Sequence, residues 1–382
     1  MTPFDFVLTT RIVFGPGRLS ELGALTRTLG EISRVLVVSD PGVVAAGHTQ
    51  RGRDALHAAG LATQLFEDFA ENPSTAHVAA GLAMAREFQP DCIIGLGGGS
   101  SMDCAKGINF LYCCGGEMKD YWGVDKATGP LLPMIAVPTT SGTGSETQSF
   151  ALISDAETHV KMACGDKRAA FRIALLDPGL TLTQPARVTA LTGFDALAHA
   201  VETAVTKART PLSLSFSREA WRRLMPNYLQ VLRKPDDLQA RGEMQLGACL
   251  AGLAIENSML GAAHALANPL TAVYGVTHGE AVAAMLPHVV RRNGQQVDGQ
   301  YAELMGATAL DGRGPWGSAP MLAGFLTTTA EQAGLALRLR DHHVDRDSLP
   351  QLAADAAQQW TGTFNPVELN ADALLQLYEQ AY

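Results

Sequence analysis

A change of rhythm near the middle of the 382-residue chain constrains its architecture more than any other feature. In the first half, short β-rich apolar runs lead into glycine, aspartate, proline or threonine: RVLVVSD (34–40), CIIGLGGGS (92–100), MIAVPTT (134–140) and IALLDP (173–178). Two helix-like segments, GHTQRGRDALHAAG and STAHVAAGLAMAREFQ, separate the first two runs. Strand, helix, strand at this spacing predicts a parallel sheet covered by helices. After DPGLTLTQP the strand signal fades. From about Arg187 onward, Ala- and Leu-rich segments with helical periodicity dominate, among them LSLSFSREAWRRLMPNYLQVL and EMQLGACLAGLAIENSML. The chain therefore reads as an α/β domain over residues 1–182 and an all-α domain over 183–382. The tail NADALLQLYEQAY predicts a closing helix capped by Asn370 or Asp372.

Composition narrows the function classes. A hydrophobic content of 47% with 18% charged residues describes a chain that buries a sizeable core. The net charge is −9 and no run of Lys or Arg stands out, which argues against nucleic acid or an anionic membrane surface as partner. No apolar stretch reaches bilayer-spanning length, and MTPFDFVLTTRIVFG lacks the regions of a signal peptide. Six cysteines without framework spacing fit reduced thiols and a cytoplasmic location.

The residues that carry chemistry are Asp195, His199, His264 and His278. Asp195 and His199 lie four apart in TGFDALAHAVE, so a helix stacks them on one face. His264 falls in a small-residue, helix-like run and His278 just beyond a turn, in GAAHALANPLTAVYGVTHGE. One carboxylate and three imidazoles suit Fe²⁺ and Zn²⁺ alike and leave room for a substrate oxygen. Spacing alone leaves unrelated histidines an equal reading. Other histidines, His159 among them, read as ordinary surface or core residues.

The first half carries nucleotide signals. GLGGGSSMDCAKG (95–107) follows an apolar strand and opens a helix, so its glycines let backbone amides approach a diphosphate. PTTSGTGSE (138–146) offers further hydroxyls after another strand. Asp40, ending RVLVVSD, is placed to accept from an adenosine ribose and to repel the extra phosphate of NADP. The usual G-x-G-x-x-G fingerprint is absent from the first strand-helix turn.

Together these segments resemble the iron-dependent (group III) alcohol dehydrogenases. The resemblance is carried by GGGSSMDCAK (97–106), PTTSGTGSE (138–146), ALLDPGLT (174–181), TGFDALAHAVE (192–202), HALANPL (264–270) and HGEAVAAMLPHV (278–289), which run in the family's order. It implies a dehydroquinate synthase-like fold, with an N-terminal NAD-binding domain, a helical metal-binding domain and a cleft between them. It also implies a homodimer that associates through N-terminal strands. Residue by residue, it makes Asp195, His199, His264 and His278 the ligands of Fe²⁺, with Zn²⁺ as the other candidate. Gly97, Gly98, Gly99 and Ser100 would wrap the diphosphate, with Asp103 supporting the loop. Thr139, Thr140 and Ser145 would lie along the cofactor, with Asp40 at the ribose. Lys161 stands where the family often has a lysine near the cleft, and an ordinary solvated hairpin lysine fits it equally well.

Two departures bear on the substrate. The family's His-x-x-x-His-Pro is His264-Ala-Leu-Ala-Asn268-Pro269 here, and an asparagine cannot titrate. Ile255 stands where several members carry an aromatic pocket residue. The expected pocket draws on Phe150, Ile255 and Asn268, with Trp122 or Tyr274 as further candidates. The expected reaction is hydride transfer between NAD(H) and a small alcohol or aldehyde. Its alternatives are reduction of a functionalised aldehyde (hydroxy acid, polyol or phosphonate type), lyase chemistry like that of dehydroquinate synthase, and binding without catalysis.

Overall fold

The apolar runs become the centre of a parallel sheet. The computed structural model describes residues 3–158, 160–307 and 318–382, so His159 lies outside the described residues. It divides into two compact units, Val7–Gln184 and Pro185–Tyr382, the latter joined by the N-terminal residues up to Phe6. Phe6 belongs with the helical unit because its ring stacks on Phe216, with centroids 5.8 Å apart.

In the first unit, strands β1 (Arg11–Phe14), β2 (Arg34–Val38), β3 (Ala62–Phe66), β4 (Cys92–Gly97), β5 (Gly123–Val124), β6 (Met134–Pro138), β7 (Phe150–Ser154), β8 (Lys161–Gly165) and β9 (Ile173–Leu176) form two sheets. The large sheet has the order β1-β9-β6-β4-β2-β3, and every described pairing in it is parallel. The small one runs β5-β8-β7, with β7 and β8 antiparallel. Strands β4, β6 and β9 are buried along their whole length because helices cover both faces. Alternation then sorts the side chains. Leu36, Val38 and Ile93 join the core formed with Val78 and Ile108, while Val35, Val37 and Ile94 join the one formed with Leu22 and Leu56. Those outer residues belong to helices α1 (Leu22–Arg27), α3 (His48–Ala58), α4 (Thr75–Phe88) and α5 (Gly99–Cys114), with the short α2 (Pro41–Ala45) between the first two.

The second unit consists of α6 (Ala186–Thr203), α7 (Pro211–Arg233), α8 (Leu238–Ser258), α9 (Ala262–Tyr274), α10 (His278–Gly306), α11 (Ala319–Gln332), α12 (Leu349–Ala357) and α13 (Ala371–Ala381), with short 3-10 turns. One continuous core holds it together, including Phe194, Leu197, Trp221, Leu224, Tyr228, Leu266 and Leu286. Of the two candidates for the last cap, Asn370 serves, accepting from the Ala373 amide at 2.9 Å. Among the described residues no single helix is long and apolar enough to cross a membrane.

Candidate functional site

Three helices of the second unit bring four distant residues to one point. Helix α6 presents Asp195 and His199 one turn apart, His264 stands in the first turn of α9, and His278 is the first residue of α10. Oδ1 of Asp195 lies 3.3 Å from Nε2 of His199, 3.3 Å from Nε2 of His264 and 3.7 Å from Nε2 of His278. The His199 and His264 rings stack at 4.9 Å, and His278 tilts against His264 at 5.3 Å. Asp195, His199 and His264 are buried, whereas the His278 side chain is 28% exposed, so the cluster opens on that side.

Close helix packing produces this convergence. A side chain at Gly279 would press within 2.5 Å of the Leu191 carbonyl oxygen, so glycine lets the start of α10 meet α6 backbone to backbone. Arg187 of α6 forms an ion pair with Glu280, whose other oxygen accepts from Thr277 Oγ1 at 2.7 Å. The first turn of α10, and His278 with it, is thereby held against α6.

The electrostatics mark the same point. Burial by itself would push the Asp195 carboxyl up, but His199, His264 and His278 outweigh it and hold it well below the usual carboxylate range. Burial would push His264 down, yet Glu202 and Asp195, one at each ring nitrogen, raise it to about 9. The donor set fits a divalent cation: the ligand atoms of Asp195, His199 and His264 all lie within 4.8 Å of one another, and His278 offers a further nitrogen. Because Nδ1 of His264 is engaged by Glu202 at 2.5 Å, Nε2 is the atom left to coordinate.

In the α/β unit, the two loops expected to hold a nucleotide lie against each other. Gly97 ends β4, Gly98 precedes α5 and Gly99 opens it. The Thr139 amide donates to the Gly97 carbonyl at 3.0 Å, while Thr140 and Thr143 pack over Gly98 and Gly99. Gly97 has φ +153°, and a Cβ there would collide with Ser101 Oγ. Asp40 caps α2 through the Val43 amide at 3.1 Å and accepts from Ser101 Oγ at 3.2 Å, which places its carboxylate beside the glycine loop. Ser100 Oγ accepts from the Asn72 amide at 3.2 Å. Asp103 accepts from Ser145 Oγ at 2.9 Å, tying the two loops together. Burial raises the Asp103 carboxyl, against the pull of Lys106, Ser145 and Lys161.

Residues 9–178 match the family model "iron-containing alcohol dehydrogenase", and residues 189–382 match "Fe-containing alcohol dehydrogenase family, C-terminal". The chain belongs to the iron-containing alcohol dehydrogenase family. A 1,3-propanediol dehydrogenase of Klebsiella pneumoniae is 33% identical over 384 residues, covering 99% of each chain. Alcohol dehydrogenase 4 of Schizosaccharomyces pombe is 32% identical, over 98% of this chain and 88% of its own. Among solved structures, a 1,3-propanediol oxidoreductase superposes with a TM-score of 0.95 at 32% identity, covering both chains fully. A sulfoacetaldehyde reductase from Bifidobacterium kashiwanohense, in complex with NAD+, gives 0.90 at 26% identity, over 100% of this chain and 99% of its own.

Within this iron-containing alcohol dehydrogenase, two buried residues, one in each unit, escaped the sequence reading. Glu202 follows Asp195 and His199 on the same face of α6, and the i, i+4, i+7 spacing in TGFDALAHAVE was its signal. Lys106 is fully buried, donating to Ser145 Oγ at 2.8 Å, to Ser145 O at 2.9 Å and to Phe150 O at 2.8 Å. No local pattern announces a lysine that turns inward. Lys161 is half-buried on β8 and donates to Asn72 Oδ1 at 3.1 Å, so it is not a freely solvated hairpin residue. Asn268, one turn beyond His264, donates to Gln359 Oε1 at 3.0 Å. Ile255 is buried on α8, while the Phe150 ring packs over Gly165 of the neighbouring strand. Tyr274 is held by Ser348 at 2.7 Å, and Trp122 is 51% exposed.

Proposed function

We propose that this chain interconverts a small alcohol and its aldehyde or ketone, using NAD(H) and a divalent metal held by Asp195, His199, His264 and His278. The observation that carries the reading is the convergence of three imidazole nitrogens on one buried carboxylate oxygen. The family's name favours Fe²⁺, and the donor set suits Zn²⁺ as well. Such a cation supplies Lewis acidity, polarising a carbonyl and favouring the alkoxide form of an alcohol.

The residues themselves do the rest. Glycines 97–99 and Ser100 present the start of α5 to the diphosphate, with Thr139, Thr140 and Ser145 alongside and Asp103 bracing the loop. Asp40 accepts from a ribose hydroxyl and disfavours the extra phosphate of NADP. Asn268 hydrogen-bonds without exchanging a proton, so the proton passes through water, a cofactor hydroxyl or Lys161. Ile255 and Asn268 shape the substrate side.

The amide pair Asn268 and Gln359, together with the likeness to a sulfoacetaldehyde reductase, favours a second substrate class, aldehydes bearing a polar or charged group. Support for a homodimer comes from β1, the edge strand of the large sheet, with exposed Val7, Leu8 and Phe14 in and before it. The free cysteines fit a cytoplasmic location.

The test is NADH oxidation by anaerobically purified protein against simple, polyol-derived and anionic aldehydes and a sugar phosphate, with metal analysis of the same sample. Metal-dependent turnover of an aldehyde is expected. Turnover of the sugar phosphate alone, or none with metal bound, overturns the reading. Asp40→Gly should narrow the preference for NADH over NADPH, and equal use of both by the unaltered enzyme removes the role given to Asp40.

A further inference from the structure

We propose that Glu202 is the positioning residue of the metal site, setting both the tautomer of His264 and the start of the helix that carries it. Glu202 is buried near the end of α6, and both its oxygens are used. Oε2 meets Nδ1 of His264 at 2.5 Å, and Oε1 accepts from the Ala263 amide at 2.7 Å. Oε2 holds Nδ1, so with a metal at the Asp195 side the ring proton stays on Nδ1 toward Glu202 and Nε2, which faces Asp195 Oδ1 at 3.3 Å, is the nitrogen left for the metal. The Ala263 amide is one of the orphan donors at the start of α9, whose cap residue, Gly261, has no side chain to satisfy it. A Cβ at Gly261 would stand 3.0 Å from Oε1 of Glu202 and 3.1 Å from Oδ1 of Asn365. Glycine therefore leaves room for two substitutes. Asn365 accepts from the Ala262 amide at 3.3 Å and is itself fixed by Asn293 Nδ2 at 2.9 Å. Glu202 takes the next amide and adds a negative charge where the helix dipole favours one.

A glutamine cannot reproduce this arrangement. With its oxygen on the Ala263 amide, its NH₂ faces Nδ1 and drives the ring proton to Nε2, the coordinating atom. Turned the other way, the NH₂ faces the amide, and the helix start loses its acceptor. The inference rests on the metal reading above and is tested on the whole protein. Glu202→Gln should weaken Zn²⁺ binding about tenfold to a hundredfold, measured by competition with a chromogenic chelator. Its affinity for NADH, measured by fluorescence, should stay at the unaltered value and thereby report a folded α/β unit. Unchanged Zn²⁺ affinity in that variant overturns the role of Glu202. His264→Ala retaining full Zn²⁺ affinity would instead overturn the metal reading itself. Should Glu202→Gln fail to fold, the Zn²⁺-loaded, ¹⁵N-histidine-labelled unaltered enzyme decides. A slowly exchanging, downfield Nδ1–H of His264 is expected, and its absence removes the proposal.

Discussion

On the reading proposed above, the two units would hold their charged guests in different ways. The α/β unit offers backbone: glycines 97–99 bare the first amides of α5, and Thr139 to Thr143 cover them from the next strand. The residues proposed for recognition there are local, each within a few residues of a strand end, because a parallel sheet gathers its loops at the carboxyl ends of its strands. The helical unit offers side chains drawn from three helices, with 82 residues between Asp195 and His278. No single helix of the second unit holds the cluster, and its geometry depends on how α6, α9 and α10 pack. A backbone site tolerates most side-chain changes nearby but not a Cβ on its glycines. A side-chain site fails when one ligand is removed.

The largest expected effect tests that contrast directly. His264→Ala should abolish metal content and lower turnover by roughly a thousandfold or more, a loss of about 4 kcal/mol of transition-state stabilisation. NADH binding should persist, as titration by fluorescence will show. Parallel loss of both would mean that the two units do not act separately.

The reciprocal change comes next. Gly97→Ala places a methyl group against Ser101 Oγ at a φ of +153°, which side-chain-bearing residues rarely adopt. NADH should bind about tenfold or more weakly, equivalent to about 1.4 kcal/mol, with metal content unchanged. Wild-type NADH affinity would show that the glycine loop does not hold the cofactor.

A smaller effect sharpens the helical side of the comparison. Asn268→His restores a titratable group one turn from His264, with an unperturbed pKa of roughly 6.5. A new ionisation should enter the pH–rate profile between about pH 6 and 8. An unchanged profile with unchanged metal affinity would place residue 268 away from the reacting groups.

The smallest effect belongs to the α/β unit. Burial raises Glu146 from its ordinary 4.5 to about 7, against the pull of Lys106. The folded protein therefore binds this proton more tightly than the unfolded chain. The resulting stability is full below about pH 4.5 and is lost as pH rises through about 7. Glu146→Gln should remove that loss, so its Tm should exceed that of the unaltered protein at pH 8 and converge with it at pH 4.5. Equal melting at both values would show that Glu146 is ionised in the fold without cost.

Much of the architecture was legible because burial on two faces leaves continuous apolar runs. RVLVV, CIIGLG, MIAVP and IALL stand out and form the central strands. The edge strand ATQLF is short and buried only at Phe66, so it carries little signal, and RIVF at the other edge is buried only at Val13. In the helical unit the spacing of Asp195 and His199 on α6 reveals one face of the cluster, since helix periodicity is local. The same periodicity extends to Glu202, but residue type alone does not distinguish a buried carboxylate that orients a histidine from a solvated one.

What the sequence by itself determined is whatever depends on neighbours along the chain: a glycine loop after an apolar strand, an Asp and a His one turn apart, a closing helix with a cap at Asn370 or Asp372. It also carried the ordered set of motifs that identifies the family. What tertiary structure decided is everything that requires two elements to meet. Only the approach of α10 to α6 at Gly279 brings His278 to Asp195, and only the start of α9 gives Glu202 its two partners. Lys106 likewise turns inward because two carbonyls and a hydroxyl from later segments await it. A buried charge becomes affordable through contacts made far away in sequence, and no local pattern records those contacts.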